Sequence, residues 1–294
     1  MNNLAATALE VSLSIPTVGL IDAVSEVTMH KAQSPVTISR LWVLPGGDFT
    51  VDYSILVEGG ASRSYAVPCP AFLIEHPAAL VVFDTGLSPR AIDDPVGYYG
   101  EEIALAMKLR FSREQRIDAR LAQLGYRPTD VSHVVMSHLH IDHAGGMCLF
   151  PHATFHAFAD ELTEARAVRN ARHAVYKLED LAAVENCAWK LYDSDADIFG
   201  DGSLRFFKLP GHSAGEGSLL VKLASRNLML TADTVHVREA LEREKPTLFD
   251  SDPVAAVRSV RRLRQLIAEN DADSWIAHDA EDWQRYCTFP NPLT

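Results

Sequence analysis

The chain has no lysine or arginine before Lys31. A secretory leader needs a positive n-region, and Glu10 and Pro16 also interrupt the apolar run from Leu4 to Leu20, so no leader is expected. No stretch supplies the ~20 uninterrupted apolar residues of a membrane-spanning helix, and no membrane partner is expected. Cysteine is scarce. Cys69, Cys148, Cys187 and Cys287 are scattered and form no CxxC pair. That argues against a disulfide framework and fits reduced thiols in a cytoplasmic protein. Positive charge is outweighed, with 27 Lys and Arg against 39 Asp and Glu and a net charge of -12. Such a chain lacks the basic footprint of a nucleic-acid binder. No internal repeat or low-complexity tract appears.

What is present suits a globular protein. Hydrophobic residues make up 47% and charged residues 22% of the 294 positions, an ordinary balance for a packed core. Chains of this length with mixed strands and helices often form one domain. We divide it into an arm, residues 1–35, and a single domain, residues 36–294. The arm suits packing on the surface or contact with a second copy, so a homodimer is the assembly to test. Thr37–Val43 and Val51–Val57 read as strands, as do the short apolar runs Ala71–Ile74 and Leu80–Phe83. Arg113–Leu124 carries Ile117, Leu121 and Leu124 on one helical face. Ala153–Phe158 reads as a strand and Asp160–Arg169 as a helix. Leu204–Leu209 is a further strand, and Ser218–Leu223 with Asn227–Leu230 suggests a hairpin. Asp252-Pro253 starts a helix, Asp as N-cap and Pro at N1. Its stripe is Val257, Val260, Leu263 and Ile267, and its arginines are a solvated face.

The chemistry concentrates in Val134–Gly146, VVMSHLHIDHAGG. An apolar strand runs into His138, His140, Asp142 and His143, and Gly145-Gly146 then allow a tight turn. If the strand continues through the motif, His138 and His140 share a face, because strand side chains alternate. Both could then face one ion, while Asp142 and His143 face a second. His152, His156 and His173 stand alone and read as hydrogen-bonded or surface histidines.

The motif resembles the HxHxDH signature of the metallo-β-lactamase superfamily. Further matches follow in that family's order: Phe83-Asp84-Thr85-Gly86, Pro210-Gly211-His212-Ser213, Leu228–Asp233 and Ser274–Asp279. The resemblance implies a four-layer αβ/βα sandwich, an α/β fold in the broad sense, with metals at one edge between two sheets. It also implies two divalent ions, zinc first among them given imidazole and carboxylate donors without thiolate. Carried over, His138, His140 and His212 would hold one ion, and Asp142, His143 and His278 the other. Asp233 would bridge them, and Asp84 would support the site from behind.

The separations between His143, His212, Asp233 and His278 look like those of the N-acyl-homoserine lactone lactonases. So do Leu124–Pro128 and Cys287-Thr288-Phe289-Pro290. The implied reaction is opening of the lactone ring by a bridging hydroxide, with Asp142 passing a proton to the leaving oxygen. The substrate is a small acyl lactone, and Tyr98, Ile141, Leu248 and Phe249 are candidates for its apolar wall. That branch usually carries Tyr three residues after the bridging Asp, where this chain has His236. We expect His236 to orient the substrate carbonyl or stabilise the oxyanion without binding metal. Other lactonases, carboxylesterases, thioesterase-type hydrolases of the glyoxalase kind and β-lactamases share the ligand pattern. So does a redox protein with an appended flavin domain, which the chain's end at Thr294 disfavours.

Overall fold

The computed structural model describes residues 36–167 and 175–294. The expected arm, residues 1–35, and His173 lie outside the described residues. The first sheet has six strands in the order β1 (Arg40–Leu44), β4 (Ala71–His76), β5 (Ala79–Phe83), β6 (His133–Val135), β7 (Thr154–Phe158) and β8 (Ala188–Tyr192). β1, β4 and β5 pair antiparallel, and β5 through β8 run parallel. The second sheet has five, in the order β13 (Ala272–Trp275), β12 (Asn227–Leu230), β11 (Gly217–Lys222), β10 (Leu204–Lys208) and β9 (Ala196–Asp197). β2 (Asp48–Asp52) and β3 (Ser64–Pro68) form a separate antiparallel ribbon.

Side-chain alternation along the strands builds the layers. Phe72 and Ile74 of β4 meet Leu219 and Val221 of β11 in the core between the sheets. Leu73, between them in sequence, faces the opposite side and joins Ile117 and Leu121 of α3 (Ile117–Gln123). Leu220 of β11 likewise turns outward to Val260 and Leu263 of α7 (Pro253–Glu269). Each sheet therefore has one face on the other sheet and one under helices, which is the four-layer sandwich. Trp275 anchors the central core, its ring edge-on to Phe72 at 5.4 Å. Burying such a ring is worth about 3 kcal/mol, and truncating it to Ala would cost about 3–5 kcal/mol.

The α7 N-terminus forms as the sequence predicts, with the Asp252 carboxylate accepting the N–H groups of Val254 and Ala255. The β11–β12 hairpin also appears as expected. Two expectations need correction. The strand over Val51–Val57 stops at Asp52, whose side chain accepts the Ser54 N–H and starts a 3-10 turn over Tyr53–Ile55. The motif strand ends at Val135, so His138 and His140 lie in the loop beyond it, and strand alternation is not what brings them together.

Parallel pairing fixes where the site can be. β5 and β6 run parallel in one sheet, and β12 and β13 in the other. Each pair thus delivers its C-terminal loops to one edge, the position where α/β sheets place ligands. Asp84 follows β5, the histidine motif follows β6, Asp233 follows β12 and His278 follows β13.

Candidate metal centre

Close backbone approach shapes the loops. Gly211 has φ 148°, and a Cβ there would lie 2.3 Å from the backbone of Ala256 on α7. Gly145 is similarly constrained, since its Cβ would meet the Ser88 nitrogen at 2.2 Å. Only glycine lets these two turns sit as they do. Asp84 holds a left-handed conformation, φ 57°. Its carboxylate accepts the Ser137 N–H and hydroxyl at 2.8 Å each and contacts His143 Nδ1 at 2.9 Å. The left-handed backbone at a non-glycine residue is held by these three contacts. Thr85 adds its N–H and hydroxyl to the His143 carbonyl.

Seven side chains converge in two groups able to hold a cation. His138, His140 and His212 form one, and Asp142, His143, Asp233 and His278 the other, all buried. Asp233 stands between them. Its Oδ2 lies 3.4 Å from His212 Nε2 and 3.9 Å from His138 Nε2. Its Oδ1 lies 2.9 Å from His278 Nε2 and 3.2 Å from His143 Nε2. Asp142 Oδ2 completes the second group at 3.5 Å from His143 and 3.7 Å from His278. One carboxylate thus turns an oxygen to each group.

The donors fit a metal. Nε2 of His138, His143 and His278 and Oδ1 of Asp233 are buried without a hydrogen-bond partner. Buried polar atoms seldom stay unpaired, and here they point into a shared space. Burial, then the neighbouring imidazoles, holds His138 and His140 well below the usual histidine range, so both are neutral and ligand-ready. His143 goes the other way: burial opposes its charge, but Asp233, Asp142 and Asp84 outweigh that and raise it.

The outward nitrogens are held as well. His143 Nδ1 meets Asp84, His278 Nδ1 meets the Pro68 carbonyl at 2.7 Å, and His212 Nδ1 meets Asp250 at 3.3 Å. His138 Nδ1 has Ser137 Oγ at 3.0 Å and Glu216 Oε2 at 3.1 Å. Such contacts fix which ring nitrogen faces a metal. Three carboxylates here escaped the sequence reading: Asp250, Glu161 and Glu216. Glu161, on α4 (Ala159–Ala167), accepts Leu139 N–H at 2.8 Å, Tyr176 hydroxyl at 3.1 Å, Ser213 hydroxyl at 2.6 Å and Gly215 N–H at 3.1 Å. Glu216 accepts the Asp233 N–H at 3.1 Å. A glutamate between two glycines beside the Gly-His turn was the one hint available for Glu216.

His236 comes closer than expected. Its Nε2 lies 2.9 Å from Asp233 Oδ2, and with His212 and Asp233 it forms a third group able to hold a cation. Its Nδ1 is buried and unpaired. A cavity of about 280 Å³ opens over Asp142, Asp233, His140, His212, His236 and His278. Phe49, Val51, Leu56, Val67, Met107, Ile141, Val175 and Phe249 form its apolar wall. Of the four wall candidates, Ile141 and Phe249 line this cavity, and Tyr98 and Leu248 do not. The Tyr98 hydroxyl turns to Asp180 and the ring packs in a cluster with Ile141 without lining the cavity, while Leu248 is 66% exposed. The ribbon residues Phe49, Val51 and Val67 supply wall that the sequence reading missed.

A helix–sheet–sheet–helix sandwich with histidines and aspartates at its shared strand edge defines a divalent-metal hydrolase scaffold. The family model described as the metallo-beta-lactamase superfamily matches residues 64–269. The N-acyl homoserine lactonase AttM of Agrobacterium fabrum is 31% identical over 261 residues, covering 87% of this chain and 98% of that protein. AiiA, an N-acyl homoserine lactonase of Bacillus thuringiensis subsp. kurstaki, is 26% identical over 257 residues. A solved N-acyl homoserine lactone hydrolase, with N-hexanoyl-L-homoserine at its catalytic metal centre, superposes with a TM-score of 0.78 at 25% identity. It covers 87% of this chain and 100% of that one. The chain belongs to the metallo-β-lactamase superfamily, on the branch that holds the N-acyl homoserine lactonases.

Proposed function

We infer that this chain hydrolyses the lactone ring of N-acyl-homoserine lactones with two divalent ions, zinc first among them. The observation that carries the reading is Asp233, one carboxylate presenting Oδ2 to His138 and His212 and Oδ1 to His143 and His278. His138, His140 and His212 would hold one ion, Asp142, His143 and His278 the other, and Asp233 both. Bound there, the ions would acidify a water and polarise the ring carbonyl.

The remaining work falls to side chains. Phe49, Val51, Met107, Ile141 and Phe249 give an acyl tail an apolar berth beside the donors. The same wall keeps bulk water from the reacting carbonyl. Water's oxygen joins the acyl carbon, the ring C–O bond breaks, and the ring oxygen leaves as an alkoxide that needs a proton. Asp142 lines the cavity, and in this reading it takes the proton that the attacking water loses and passes it to the leaving oxygen. His236 lines it too, next to Asp233, and orients the carbonyl or the developing oxyanion.

The relatives named for this activity support the substrate class. The test is a pH-stat comparison of N-acyl-homoserine lactones of several acyl lengths with simple esters and thioesters. The reading expects the acyl lactones to give the highest kcat/KM. Faster turnover of a thioester or an open-chain ester would move the chain to another hydrolase of the same fold.

A further inference from the structure

Glu216 is fully buried, and among the described residues no lysine or arginine forms an ion pair with it. A buried carboxylate without a cation is costly unless something else supplies positive charge. What surrounds this one is the metal centre. Oε1 accepts the backbone N–H of Asp233, and Oε2, buried without a hydrogen-bond partner, stands 3.1 Å from His138 Nδ1, which also has Ser137 Oγ at 3.0 Å. Glu216 therefore touches two donors from opposite sheets, since His138 follows β6 and Asp233 follows β12.

The three-histidine group has no carboxylate of its own besides the shared Asp233, whereas the other group also has Asp142. The missing negative charge stands one step back, as Glu216 behind His138 and Asp250 behind His212. For His138 to offer Nε2 to an ion, its Nδ1 must carry the proton. Of the two groups beside that nitrogen, the Ser137 hydroxyl can donate or accept, whereas the Glu216 carboxylate can only accept, so Glu216 favours the binding tautomer and makes the ring more basic.

We propose that Glu216 is a positioning residue for the three-histidine metal site, holding His138 in its binding tautomer and Asp233 in register through its N–H. This rests on the two-ion reading above. The side chain touches neither substrate nor ion, and its effect is on affinity at one of two sites.

Glu216→Gln separates this role from simple packing. The Asp233 N–H keeps the amide oxygen on its side, which turns the amide NH2 toward His138 Nδ1. A donor then faces a donor in the metal-loaded state. In metal-free protein the ring can take the other tautomer and accept the new hydrogen bond. The measurements are Zn2+ affinity by competition with a chromophoric chelator, and melting of stripped and loaded protein. Glu216→Gln should weaken one of two ions by about 10–100-fold, the usual effect of removing such a partner, and leave the other unchanged. Stripped Glu216→Gln should melt no lower than stripped wild type, because an unpaired buried charge is gone, while the gain in melting temperature on loading shrinks. Equal losses in stripped and loaded protein, or two ions held as tightly as in wild type, overturn the proposal. Wild-type protein that binds no ion would overturn the metal reading and this proposal with it.

Discussion

Glu161→Gln tests how the two halves of the donor set are held together. Two carboxylate oxygens accept four hydrogen bonds, from Leu139 and Gly215 N–H and from the hydroxyls of Tyr176 and Ser213. Leu139 lies between His138 and His140, and Ser213 follows His212, so Glu161 joins the motif loop to the Gly-His turn. An amide offers one oxygen and one NH2. Hydroxyls can rotate to accept from the NH2, but a backbone N–H cannot. With Leu139 N–H on one oxygen and Gly215 N–H on the other, either amide orientation leaves one N–H facing a donor. Bonds to a charged group are worth about 1.5–3 kcal/mol, and an unsatisfied buried N–H costs about 1–3 kcal/mol. Burial raises the Glu161 carboxyl above the usual range, so relief of that charge offsets part of the loss. The net expectation is a destabilisation of about 2–4 kcal/mol, or a fall in Tm of roughly 5–15 °C for a domain of this size. The assay is denaturant unfolding of chelator-treated protein, which removes metal linkage from the comparison. Stability within about 0.5 kcal/mol of wild type would refute the staple, since that is the ordinary scatter of a surface change.

Other consequences follow from the same geometry. Asp142→Asn should lower kcat by about 10²–10⁴-fold if the proton reaches the leaving oxygen from this carboxyl group; full activity at normal metal content would exclude the role. His236→Ala should keep both ions while kcat/KM falls, with His236→Tyr restoring part of it; loss of an ion would instead place His236 in the donor set. Burial pushes Asp180 up to about 6, with the Tyr98 hydroxyl opposing. A raised carboxyl favours folding below its ordinary value near 4 and loses that contribution as pH rises through 6. Asp180→Asn should therefore be more stable than wild type at pH 7.5, by up to about 3 kcal/mol, and the difference should vanish near pH 4. Parallel pH profiles of the two proteins would contradict it.

The donors were legible because they are dense and local. Few structural needs place three histidines and an aspartate within His138–His143, and each further donor sits in its own strand-to-turn signature. The helix from Pro253 was legible through Asp252 and Pro253 at its start. What could not be read is burial by distant elements. Glu161 looks like any first-turn helix glutamate until α4 packs across both loops, and Asp250 looks like a loop acid until His212 folds against it. Tyr98 does not line the cavity, and Asp180, far along the chain, meets its hydroxyl. Part of the cavity wall, Phe49, Val51 and Val67, comes from β2 and β3, whose alternation says that one face is covered but not what covers it.

Metal and lactone chemistry meet in one titration. Chelator-stripped protein is supplied with increasing Zn2+ while a pH-stat records acid release from an N-acyl-homoserine lactone. The account predicts activity that rises with added metal and stops rising at two equivalents per chain. A plateau at one equivalent, or no acid release at any loading, would contradict it.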